Sequence, residues 1–210
     1  MTKWLSSAIV ILAAVAVLAG SVGTAGAEDD YGVQPGGPGY MPDSSDHWYC
    51  FAYVASGSRQ RYHDAMAYLD YGTVMTDHYS STCGPSTDVW SYEISPIPNA
   101  PVEYPRGYAP CMVRTGLFGW FCEAGNLEID PVVIWLETLA AGGGAWDLEL
   151  NLNKTIRHET GHTAGLAHFE LGSRPNSAMA SGHVPLNFAF LAYSPHEVCH
   201  IYNRFGGPPC

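Results

Sequence analysis

The sequence predicts an α+β fold, and three observations carry that expectation. Residues 47–55 and 88–95 read as strands: the first is rich in aromatics, and in the second Trp90, Tyr92 and Ile94 alternate with smaller or polar residues. Between the two, Tyr62, Met66, Leu69 and Thr73 fall on one helical face. Late in the chain His158 and His162 stand four residues apart, the spacing that puts two side chains on one side of a helix.

Taken in order, the chain opens with a positive Lys3, an apolar run from Ala8 to Ala19, and Ala25-Gly26-Ala27 before Glu28. That is the layout of a secretory signal peptide over residues 1–27, and the apolar run is short for a membrane span. Residues 28–45 are rich in Gly and Pro and read as a flexible segment. Residues 46–210 are then expected to form one domain. Its first strand covers 47–55, and a helix follows Ser56-Gly57-Ser58 and continues through Gly72. After the strand at 88–95, Pro96, Pro98, Pro101 and Pro105 force a loop. Short strands or a hairpin are expected between Cys111 and Cys122. Residues 126–135 read as another strand, with Pro131 placing it at a sheet edge. Gly142-Gly143-Gly144 then breaks the chain, and a helix is expected to start near Asn151 or Asn153, both good N-cap types.

The formal charge of −11 becomes −12 once Lys3 leaves with the signal, and Lys154 is the one lysine left. Such a balance does not suit a polyanion, so nucleic acid is not an expected partner. No membrane partner is expected either, and the protein is expected to be a monomer. All six cysteines lie beyond residue 27, an even number that predicts three disulfides in an exported chain. Cys111 with Cys122 is the best local pair, and Cys199 with Cys210 could tie down the tail; the full pairing stays open.

The chemistry gathers in His158-Glu159-Thr160-Gly161-His162-Thr163-Ala164-Gly165-Leu166-Ala167-His168. On a helix, His158 and His162 can offer two imidazoles to one ion. Zinc in catalytic sites takes three protein ligands plus a water. Glu159 lies beside the first ligand, placed to take a proton from that water. Gly165 can adopt the left-handed conformation that turns the chain out of the helix and returns His168 as the third ligand. Structural zinc usually completes its shell with Cys or His, whereas the residue beside this pair is a Glu, as hydrolysis requires.

The stretch resembles, at every defined position, the long zinc signature H-E-x-x-H-x-x-G-x-x-H of the metzincin proteases. The resemblance covers residues 47–205. It implies a metzincin-like zincin fold: a twisted mixed sheet, an active-site helix, and a C-terminal helix below the cleft. It implies one catalytic Zn2+ held by His158, His162 and His168, with Glu159 as general base. Met179, in Ser177-Ala178-Met179-Ala180-Ser181-Gly182, stands where the family has its Met-turn, an apolar floor beneath the metal. Ser181 takes the place of the tyrosine that reaches the metal in some members, so no tyrosine ligand is implied. Residues 184–193 would wall the S1′ pocket. In the family an extended peptide lies antiparallel to the sheet's edge strand, for which residues 126–135 are the candidate. Calcium sites have no readable signature. Subfamily features divide: the Met-turn spacing is similar to matrixins and the small size to snapalysins, which carry Asp where this chain has His168.

Two other patterns need weighing. Cys83-Gly84-Pro85 invites comparison with the Cys-Gly motif that caps the metal in matrixin propeptides, but Thr82 precedes it and a disulfide is the simpler use. His196-Glu197-Val198-Cys199-His200 repeats H-E-x-x-H, yet Asn203 stands at the glycine position and Gly206 at that of the third histidine. Ser194, Pro195 and Glu197 instead make a capping box. His47, His63, His78 and His183 have no ligand spacing. The sequence therefore points to a secreted zinc-dependent endopeptidase acting on a protein or peptide. The rival is a secreted binding or adhesion protein that holds zinc on the same scaffold without turnover, disfavoured by an intact Glu159. A non-proteolytic zinc hydrolase would need a closed pocket in place of an open groove.

Overall fold

The computed structural model describes residues 41–101, 105–117, 121–168 and 176–208. The expected signal peptide and most of the expected flexible segment lie outside the described residues. One sheet contains β1 (Met41–Pro42), β2 (Asp46–Tyr53), β3 (Thr76–Ser80), β4 (Val89–Glu93), β5 (Gly107–Tyr108), β6 (Cys111–Thr115) and β7 (Phe121–Ile129). Strands β3-β2-β4-β7 run parallel in that order, and β1 pairs in parallel with the start of β7. On the other side of β7, β5 and β6 run antiparallel to it. The sheet is thus mixed and mainly parallel, accompanied by helices α1 (Arg59–Gly72), α2 (Pro131–Ala140), α3 (Ala145–Thr163) and α4 (Pro195–Phe205). The α+β expectation holds at that level.

Alternation explains the strands. In β2, His47 and Tyr49 face inward while Trp48 stays exposed, the two-residue period of a half-buried strand. Val89 and Ser91 of β4 and Leu127 and Ile129 of β7 continue that inward face. Against it pack Tyr62, Ala65 and Met66 of α1, Ile134 of α2 and Ile156 of α3. A second cluster lies beyond α3: Leu150, Leu166, Ala178, Met179, Val184, Tyr193 and Ile201. Helix α3 therefore runs between two apolar clusters. Each such large side chain contributes roughly 1.5–3 kcal/mol on burial, so both sides of this helix are fixed by packing.

Several expectations are corrected. Met41 and Pro42, in the segment read as flexible, are paired with Phe121 and Cys122. Helix α1 ends at Gly72 rather than passing through it, with Thr73 as C-cap. Residues 126–135 are not an edge strand: β7 stops at Ile129, is paired on both sides, and gives way to α2. Asp130 is the N-cap, its Oδ1 accepting from the amides of Val132 and Val133, each at 3.0 Å, and Pro131 opens the helix. Proline suits a first helical position because that turn's amides have no helical partner. The apolar run that suggested a strand is a helix apolar on both faces, with Ile134 buried and Trp135, Leu136 and Leu139 exposed. Helix α3 starts at Ala145, not near Asn151 or Asn153, with Gly144 as N-cap and Asp147 bonded back to it. Asn151 is instead buried in mid-helix, where its amide group pairs with both backbone groups of Val184.

Disulfides join Cys50 to Cys83 and Cys111 to Cys122. The second is the expected local pair, and the first gives Cys83 its structural use. Cys199 is also disulfide-bonded; its expected partner Cys210 lies outside the described residues.

Candidate metal centre and active site

The end of α3 is built to present imidazoles. The helix closes in a left-handed turn in which Gly165 N–H donates to His162 O and Leu166 N–H to Gly161 O, each at 3.0 Å, with Gly165 at φ +91°. This pair of bonds satisfies carbonyls that a helix end leaves open, and the positive φ explains the glycine. The same turn delivers the Leu166 carbonyl to His162, whose Nδ1–H donates to it at 2.7 Å. His158 Nδ1–H donates to Ala178 O at 2.9 Å. A carbonyl only accepts, so both Nδ1 atoms carry the proton and both Nε2 atoms keep a lone pair.

Those Nε2 atoms converge. His162 Nε2 lies 3.1 Å from His158 Nε2 and 2.7 Å from His168 Nε2. The facing lone pairs of His158 and His162 repel at that distance unless a cation lies between them, whereas ligands about 2.0 Å from one tetrahedral ion sit about 3.3 Å apart. The donor set therefore fits a metal ion, and the three histidines are the one such cluster among the described residues. Burial holds them neutral: His158 titrates well below the usual range, and His162 is lowered to about 3, with His168 contributing. His168 is lowered by burial and by Lys154.

Glu159 points into the same space. It is 4% exposed, its Oε2 has no hydrogen-bond partner among the described residues, and burial pushes its carboxyl up to about 8 against the opposing pull of Lys154. Gly107 of β5 lies directly over it; a Cβ there would stand 2.5 Å from Glu159 Oε1. Met179 is fully buried under the helix, where a Cβ on Gly161 would meet its sulfur at 2.3 Å. The loop around it is pinned by Ser177, whose hydroxyl accepts from Met179 N–H at 3.0 Å and donates to Glu197. Glu197, the glutamate of the second H-E-x-x-H, is thus a fully buried tie between this loop and the start of α4. His196 and His200 approach each other at 3.0 Å, but no third ligand joins them among the described residues.

The sequence reading named His158, Glu159, His162, Gly165, His168 and Met179, and the fold brings all six together. It missed Gly107, Gly161, Asn151 and the clasp of Arg106, which pairs with Glu137 and donates to Gly182 O at 2.7 Å. Gly161 had a signal, since an interior helix glycine costs about 1 kcal/mol against alanine and needs a packing reason. Gly107 had none. The metal-side cavity, about 270 Å3, is bounded by Arg106, Gly107, Lys154, His158, Glu159 and Gly182. A larger one of about 430 Å3, beside Trp90, Tyr92 and Met112, brings no such group of ligands together among the described residues. The chain matches no protein-family model, and no curated protein aligns with it significantly.

Proposed function

We propose that the protein is a secreted zinc-dependent endopeptidase of the metzincin type. The observation that carries this reading is the convergence of three neutral imidazole nitrogens beside a buried, unpartnered glutamate. His158, His162 and His168 would hold the ion, which when bound supplies Lewis acidity for a water and a scissile carbonyl. Glu159 takes the proton of the attacking water and passes it to the leaving amine.

The corrected sheet edge supplies a place for substrate. Residues 107–115, not 126–135, form the side of the sheet away from β4, and Gly107 lies against the base. An extended peptide would add antiparallel to this edge through backbone hydrogen bonds, its carbonyl above Glu159. Export is supported by the layout of residues 1–27 and by disulfides, which persist in oxidising compartments. No helix among the described residues is long and apolar enough to cross a membrane. The proposed enzyme acts as a monomer on proteins or peptides.

The test is cleavage of a mixed peptide library by mature protein of known zinc content, beside Glu159→Ala. Chelator-sensitive cleavage that is lost in the variant, with one zinc retained by both, is expected. One bound zinc without cleavage by either protein would favour a binding scaffold, and no bound zinc would remove the reading altogether.

A further inference from the structure

The metal-side cavity carries two cations that the chemistry above does not use. Lys154 lies one turn before His158 on α3, about 6 Å along the axis, and is 2% exposed. Its ammonium donates to the carbonyls of Ala180 and Gly182, so two of three donors are taken by neutral groups. Among the described residues no carboxylate lies within ion-pair distance of it. Arg106, which donates to the same Gly182 carbonyl, is paired with Glu137. The remaining acid facing this space is Glu159, whose carboxylate is committed to the reacting water.

This polarity runs against the rest of the chain, which has 20 acidic against 9 basic residues. Burial and the neighbouring Arg106 lower Lys154 to about 7, and an anionic partner seated beside it would favour its charged form. Lys154 lines the same cavity as His158, Glu159 and His168, so a peptide held there would bring a side chain next to the reacting carbonyl beside it. We propose that the cleft selects peptides with an acidic side chain, Asp or Glu, at the residue adjoining the scissile bond, with Lys154 as its recognition group and Arg106 as a flanking charge. The inference rests on the peptidase reading and names its substrate class.

The experiment compares kcat/KM of the zinc-loaded protein for peptide pairs that differ only as Glu or Gln beside the bond that library mapping shows to be cut. The Glu peptide is expected to be favoured at least about tenfold, the worth of a hydrogen bond to a charged group. In Lys154→Met the ratio falls toward one, whatever the absolute rates do, and Lys154→Arg restores part of it. If Lys154→Met does not fold, the ratio is read in Arg106→Gln, where a severalfold fall is expected. Cleavage with no acidic preference, or a preference untouched by these changes, overturns the inference and leaves the peptidase reading standing. Absence of all cleavage removes the peptidase reading itself. Binding without turnover gives an independent readout: zinc-loaded Glu159→Ala should bind the Glu peptide more tightly than its Gln counterpart in calorimetry.

Discussion

At Gly161 a single methyl group decides between two opposing effects. Alanine would raise helix propensity by about 1 kcal/mol, but its Cβ would stand 2.3 Å from Met179 Sδ and 3.0 Å from the Tyr193 ring. Both neighbours belong to the cluster beneath the helix, and overpacking such a site costs about 1–3 kcal/mol. Packing wins, so Gly161→Ala is expected to destabilise by a net of up to about 2 kcal/mol, read as a lower urea midpoint at unchanged m-value. Met179→Leu, which roughly conserves volume, should cost less than about 1.5 kcal/mol. A Gly161→Ala protein more stable than the parent would show that the methionine does not floor the site.

At the scale of the element, the turn that closes α3 does more than end a helix. Gly165 at φ +91° lets the Leu166 carbonyl meet His162 and aims His168 back at the other two imidazoles. Gly165→Ala would strain that backbone by about 1–2 kcal/mol. Because groups that orient ligands affect affinity strongly, zinc binding is expected to weaken by about 10–100-fold, read by competition with a chromophoric chelator. Unchanged affinity would mean that the turn is incidental to the third ligand. This turn was legible because all its residues are near neighbours in sequence, and glycine at that position has a local reason. Helix α2 was not, although Asp130-Pro131 is a good start signal. Its apolar exposed face hid the period, and only the paired sides of β7 show that the edge lies elsewhere.

At the scale of the whole molecule, His47 couples the sheet to the end of α3. It is 3% exposed, and burial lowers its pKa to about 4, with a backbone hydrogen bond to Thr163 and the Asp46 charge opposing. Between pH 6.5 and 4 the unfolded chain binds this proton and the folded chain does not, so stability falls on acidification. The neutral histidine's contribution is complete above pH 6.5 and gone below about 4. A shift of this size corresponds to about 3 kcal/mol. Comparing urea unfolding of the parent and His47→Gln at pH 7, 5.5 and 4, with disulfides intact, should show the parent losing about that much more. Parallel losses in the two proteins would assign the acid sensitivity to other groups.

The sequence by itself determined the histidine cluster: His158, Glu159, His162, Gly165 and His168 lie within one helix and its exit turn, so local geometry alone brings them together. It also determined the Cys111–Cys122 bond and the capping box of α4, which are likewise short-range. Tertiary structure decided what surrounds them. Gly107 over Glu159, Glu197 bonded to Ser177, Lys154 bonded to the Ala180 carbonyl, and β5 and β6 lying on the side of β7 away from β4 each join segments far apart in the chain. Such contacts follow from which faces bury together, and no local period or spacing encodes that choice.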